Sequence, residues 1–215
     1  MWLQALERFA VAAPTPRSHR GPACELCGGA IDAAHAHVAD LDRRSIQCAC
    51  RACALLFAGA GAGGGRRRTV PTRVLVDPML SLTEAQWAAL GVPVRLAFFL
   101  QSSALGRWLA IYPSPAGATE AELDTAAWTN LAAASRLIAC VEPDVEALLL
   151  RAERGRRFEA MLAPIDVCYE IVGIVRRQWK GFDGGDAVRA ALDACFDDLR
   201  ARSRPLDAGP GKERA

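Results

Sequence analysis

Two cysteine pairs dominate the chemistry open to this chain: Cys24-Glu25-Leu26-Cys27-Gly28-Gly29 and Cys50-Arg51-Ala52-Cys53. Thiolates two residues apart can reach one ion, and the glycines after Cys27 permit the tight turn that such a knuckle needs. Four thiolates from two pairs fill a tetrahedral zinc without an open position, the usual chemistry of a structural site. The separation between the pairs is slightly longer than the common double-pair pattern.

Further donors lie between the pairs. Ala36 to Asp40 and Ser45 to Cys50 can pair as antiparallel strands about a turn at Leu41 to Arg44, setting Asp40 against Ser45, His37 against Cys48 and His35 against Cys50. Alternation then projects His35, His37, Cys48 and Cys50 from one face, an arrangement that a one-residue slip would destroy. Seven candidate ligands thus face an ion that takes four. Cys24, Cys27, Cys50 and Cys53 lead. His35, His37 and Cys48 are additional or alternative ligands: they could support the first set, replace a thiolate or form a second site, and they leave room for iron or an iron–sulfur cluster in place of zinc.

The elements that position these groups can be read from periodicity and turn residues. Residues 1–58 are expected to hold an amphipathic N-terminal helix and a small zinc-ribbon-like metal module, and 59–69, rich in Gly and Arg, a linker or loop. Residues 70–202 read as an α+β domain of hairpins packed on helices, and 203–215 as a disordered tail. Within the domain, Ser81 and Glu84 form a capping-box pattern for a helix ending at Gly91. Val94 to Leu100 and Arg107 to Tyr112 suit one hairpin, and Asp144 to Arg151 with Arg157 to Leu162 suit another about Arg154-Gly155. Thr119 and Glu122 are expected to cap a helix running through Trp128 and Leu137, and two helices follow Pro164 and Gly184-Gly185.

Composition narrows the functional classes. The chain has 215 residues, is 52% hydrophobic and carries a formal net charge of +2, so its balance demands neither nucleic acid nor an anionic membrane. Its N-terminus lacks a basic start and apolar run, and no apolar stretch approaches the roughly 20 residues that a bilayer needs. A reducing, cytoplasmic setting is expected, with thiols and metal ligands rather than disulfides. The glycine run from Gly59 to Gly65 has no following Walker lysine, and Arg66-Arg67-Arg68 lacks interleaved aromatics, so both read as loop. Asp144 with Glu146, and Asp166 with Glu170, are carboxylate pairs better explained as helix caps or solvent-facing groups than as acid and base. Cys140, Cys168 and Cys195 read as core thiols.

The stretches CELCGG (24–29), HAHVAD (35–40), CACRACALLF (48–57), GVPVRLAFF (91–99), YPSPAGATE (112–120), DVEALLL (144–150), PIDVCYEIVG (164–173) and WKGFDGG (179–185) together resemble an uncharacterised bacterial family whose genes tend to lie beside those for nickel-iron hydrogenases. The resemblance implies an accessory role, with a hydrogenase subunit or an assembly factor as partner. It supports taking the cysteine pairs, His35, His37 and Cys48 as one motif, and transfers no catalytic residue. The leading reading is therefore a non-enzymatic, metal-binding accessory protein. The alternatives are an iron or iron–sulfur electron carrier on the same cysteines, a zinc-ribbon nucleic-acid binder using Arg51 and Arg66 to Arg68, and an enzyme with an open metal position.

Overall fold

The computed structural model describes residues 21–59, 61–152, 158–181 and 184–206. The expected N-terminal helix and the Arg154-Gly155 turn lie outside the described residues. Helices and strands mix in one chain, with a cysteine-rich module preceding a sheet-and-helix body.

In the module, β1 (Ala36–Asp40), β2 (Ser45–Ala49) and β3 (Arg67–Thr69) form an antiparallel sheet in the order β2-β1-β3. The β1–β2 register is the expected one, with Asp40 against Ser45 and His37 against Cys48. A hydrogen bond from Arg43 N to Asp40 Oδ1 (3.0 Å) closes the turn, in which Arg44 takes a φ of 50°. Helix α1 (Arg51–Leu56) follows β2 at once.

The Gly/Arg segment is more structured than a linker. Ala62–Gly65 forms a 3-10 turn, and Arg67–Thr69 becomes the third strand. Gly63, Gly64 and Gly65 all adopt positive φ, which side-chain-bearing residues resist, and so turn the chain back onto β1. There Arg67 reaches Asp40 (3.2 Å), whose side chain is 5% exposed. Arg68 crosses to the body, donating to Pro143 O (2.7 Å) and pairing with Glu142 (3.0 Å).

The body is built on a seven-stranded sheet. Its strands are β4 (Leu75–Val76), β5 (Leu96–Ser102), β6 (Arg107–Ser114), β7 (Gly117–Ala121), β8 (Glu146–Ala152), β9 (Phe158–Pro164) and β10 (Arg204–Pro205), ordered β10-β4-β9-β8-β5-β6-β7. All neighbours are antiparallel except β10 and β4. Helices α2 (Glu84–Ala89), α3 (Thr125–Ala134) and α4 (Arg136–Ala139) cover one face; α5 (Ile165–Gln178) and α6 (Gly185–Arg202) cover the other. On β8, Ala147 and Leu149 join the core beneath α5 and α6, while Leu148 and Leu150 join the core beneath α2 to α4. A strand covered on both faces reads as a continuous apolar run, which is why Ala147 to Leu150 shows no alternation. Among the described residues, no helix is long and apolar enough to cross a membrane.

Three expected boundaries move. The capping box falls two residues later than Ser81: Gln86 N donates to Thr83 Oγ1 (3.2 Å) and Thr83 N to Gln86 Oε1 (2.8 Å). Thr119 does not cap a helix. It lies in β7, where a bond between its hydroxyl and that of Ser114 (2.9 Å) tightens a hairpin on the edge of β6; α3 starts later, capped by Asp124, which accepts from Ala127 N (2.7 Å). Arg204 and Pro205, expected in the tail, pair with β4, leaving 207–215 outside the described residues.

Candidate metal centre

The first cysteine pair is held by its own backbone. Cys24 N donates to Gly29 O (2.7 Å) and Gly28 N to Cys24 O (2.8 Å), with Gly28 at a φ of 74°. Glu25 N donates to Cys48 O (2.9 Å), fastening this knuckle to the outer edge of β2. The second pair is set by a helix start. Cys50 leaves the strand in extended conformation and caps α1, its sulfur accepting from Cys53 N (3.4 Å). This corrects the expected face of Cys50: instead of joining His35, His37 and Cys48, its sulfur turns towards Cys24, Cys27 and Cys53.

The four sulfurs lie within 4.8 Å of one another, and Cys27 Sγ is 3.8 Å from Cys50 Sγ. A regular tetrahedron with metal–sulfur bonds of about 2.3 Å has edges of about 3.8 Å, whereas a disulfide would need about 2.05 Å. The set can therefore hold a tetrahedral metal ion.

The thiols are not electrostatically equivalent. Burial opposes ionisation of Cys24, but hydrogen bonds from the backbone of Cys50, Leu26 and Cys27 outweigh it and bring its pKa down to about 6. Contacts with the side chains of Cys27 and Cys50 push Cys53 the other way, to about 12. Four thiols this close cannot all ionise beside one another without a cation to share, and a bound ion supplies that cation.

The surrounding core is small. Cys24, Val38, Ala49 and Ala54 are buried together, with Leu26, Ile31, Ala36 and Phe57 packed at their edges. A cluster of mostly small side chains gives the module little independent hold, and a metal cross-link is the ordinary remedy.

A second donor group sits on the opposite face of the β1–β2 hairpin. Val38 and Ala49 face the cysteine cluster, whereas Ala39 and Ile46 pack into the core beneath α5. Alternation places His37 and Cys48 on that body-facing side. The ligand atoms of His35, His37 and Cys48 also lie within 4.8 Å of one another, with ring centroids 4.8 Å apart. His37 Nδ1 is 2.7 Å from Asp166 Oδ2 at the start of α5, and His35 Nδ1 is 2.9 Å from Asp32 O. The Glu25 carboxylate accepts from Cys48 N. Burial and the nearby Glu25 charge raise the pKa of Cys48.

Glu25 and Asp166 are the residues that sequence reasoning missed. Glu25 was visible inside the first pair, but nothing in the spacing shows its side chain reaching β2. Asp166 is neither a cap alone nor solvent-facing; one oxygen accepts from Val167 N (2.8 Å) while the other meets His37. Of the other weighed carboxylates, Asp144 Oδ1 accepts from Ser103 N, Glu146 is fully buried against Arg73, and Glu170 is exposed. Cys168 is buried, which pushes its thiol pKa up, while Cys140 and Cys195 pack at core edges.

Two cavities lie in the body and at its junction with the hairpin. One of about 740 Å³ runs between β6, β7 and α3, lined by Trp108, Leu123 and Trp128; the other, about 230 Å³, lies where the hairpin turn meets the body, lined by Leu41, Ile111 and Tyr169.

Residues 23–203 match a family of unknown function, DUF5947, and the chain belongs to that family. No curated protein and no solved structure matches it.

Proposed function

We propose that this member of the DUF5947 family is a non-catalytic accessory protein, stapled by one zinc ion at Cys24, Cys27, Cys50 and Cys53, that serves a nickel-iron hydrogenase in the cytoplasm by binding a subunit or an assembly factor. The observation that carries the zinc reading is the sulfur geometry: four thiols converge with a 3.8 Å Cys27–Cys50 edge, which fills a tetrahedral ion and leaves no position for substrate. When bound, zinc supplies cross-linking and charge compensation. The chain's own residues do the rest: the knuckle amides favour the Cys24 thiolate, Cys50 aligns α1, and Arg68 anchors β3 to the body.

The hydrogenase partner comes from the family resemblance of the sequence. A docking surface consistent with it lies on α1, where Leu55 and Leu56 stand side by side, 66% and 68% exposed, behind the cysteine cluster. The nucleic-acid alternative loses support because Arg67 and Arg68 are committed to Asp40, Glu142 and Pro143.

The test is metal analysis with an optical spectrum of anaerobically purified protein, beside a Cys24→Ser, Cys27→Ser variant. Colourless protein that loses one equivalent of zinc in the variant is expected. Iron with visible absorption that bleaches on reduction would replace this reading with the electron carrier. In pull-downs with hydrogenase subunits and assembly factors, Leu55→Asp, Leu56→Asp should abolish capture while retaining zinc.

A further inference from the structure

We propose that His35, His37 and Cys48 form a second metal site, separate from the four-cysteine centre, that takes a borderline divalent ion such as zinc, cobalt or nickel and keeps one coordination position for an external donor.

The donor atoms converge on a different face of the hairpin from the first site. The three lie within 4.8 Å of one another, on the hairpin face opposite the four-cysteine core. The β1–β2 ladder fixes two of them directly, because His37 and Cys48 are cross-strand partners.

The hydrogen bonds of both rings prepare them as ligands. A backbone carbonyl only accepts, so His35 Nδ1, bonded to Asp32 O, carries the proton and leaves the lone pair on Nε2. His37 Nδ1 likewise donates to the Asp166 carboxylate and leaves its own Nε2 free. A metal-bound imidazole characteristically gives its other N–H to a carboxylate or carbonyl, which fixes the ring and raises its basicity. Here both rings show that pattern, one with each kind of acceptor.

An independent observation points to an occupant. His35 Nε2 is buried and has no hydrogen-bond partner in the protein. Leaving such an acceptor buried without a partner is destabilising, and an ion bound to Nε2 removes that cost. Glu25 adds to the preparation, its carboxylate holding the Cys48 amide while its backbone amide bonds Cys48 O.

Two nitrogens and one thiolate suit borderline ions better than magnesium or calcium. Among the described residues no fourth donor joins the three. Three protein ligands with an open fourth position distinguish an exchangeable or reactive site from a structural one. The ion sits between module and body, with Asp166 of α5 as the positioning residue behind His37.

The experiment is anaerobic Co²⁺ titration of the full-length chain, first stripped of metal and then given one equivalent of zinc. The wild type should bind one further equivalent of cobalt with visible absorption, and added azide should change that spectrum. Combining His37→Ala with Cys48→Ser should abolish this second equivalent, with zinc at the cysteines retained as the sign of a folded module. Asp166→Asn should keep the stoichiometry and weaken cobalt binding about 10–100-fold. A wild type that binds no second equivalent, or a second equivalent that survives in the double variant, overturns the proposal; a spectrum insensitive to azide overturns its open position. Failure of the zinc staple is distinguishable, since stripped wild type would then bind a single ion that His37→Ala with Cys48→Ser removes and Cys24→Ser with Cys27→Ser does not.

Discussion

Replacing Arg73 by Met isolates the most heavily buried charge in the body. The Glu146 carboxylate is 0% exposed, and Arg73 satisfies both of its oxygens, Nε at 2.6 Å and Nη2 at 2.8 Å. One other donor reaches it, Glu142 N at 2.9 Å, while Arg73 also donates to Cys140 O (3.0 Å). Removing one partner of a buried ion pair costs about 3–5 kcal/mol, because the remaining charge stays desolvated. The Arg73 side chain is 42% exposed, so water can follow into the space it leaves, and the lower end, about 3 kcal/mol, applies. For a chain of this size that corresponds to a fall in Tm of about 6–12 °C. Urea unfolding at pH 7, followed by circular dichroism with zinc in excess, measures it. Adding Glu146→Gln to the variant should recover more than half of the loss, since a neutral amide needs no counter-charge. A loss below about 1 kcal/mol for Arg73→Met would show that water solvates Glu146 well and that the two groups do not behave as a buried ion pair.

Gly91→Ala should cost about 1–3 kcal/mol in the same assay, because Gly91 sits at a φ of 77° and a Cβ there would lie 2.8 Å from Glu122 O; a neutral result would mean the α2 stop relaxes freely. Glu84→Gln tests an exposed pair. Hydrogen bonding to Arg95 lowers the Glu84 pKa in the folded state. A lowered folded value makes the pair's contribution present above the ordinary value of 4.5 and lost as pH falls through the folded value. Wild type and variant should therefore differ in stability at pH 7 and converge in acid, and a difference that grows on acidification would contradict the assignment.

Much of the module was legible because its signals are local. The CxxC spacing, the Gly28 turn and the period-two pattern from His35 to Asp40 each specify geometry within a few residues, and the predicted His37–Cys48 register is the one observed. Cys50 broke the pattern because it stands where strand gives way to helix, and the capping role rotated it out of the ladder. The glycine run, read as linker or loop, left the two open for a related reason: the freedom that makes a linker also permits the consecutive positive φ values of a tight turn. The hairpins and the last two helices followed from periodicity, whereas β7 did not, since Thr and Glu near a turn serve a strand edge as readily as a helix start. Contacts between distant segments, such as Asp166 with His37 or Arg73 with Glu146, have no sequence signature, because they depend on how stretches far apart in the chain pack against α5 and β8.

The parallel pairing of β10 with β4 has a consequence for synthesis. Leu75, among the first residues of the body to emerge, finds its ladder partners only at Leu162 and Arg204. The hairpins from β5 to β7 and from β8 to β9 need only local closure and can assemble earlier, since contacts distant in sequence form late. Until residue 204 has been made, Leu75 and Val76 form the sheet's outer margin, with unpaired amides and carbonyls able to recruit another chain. Once made, the two-residue strand β10 covers that margin with a shorter edge, in which Pro205 has no amide to offer a further strand.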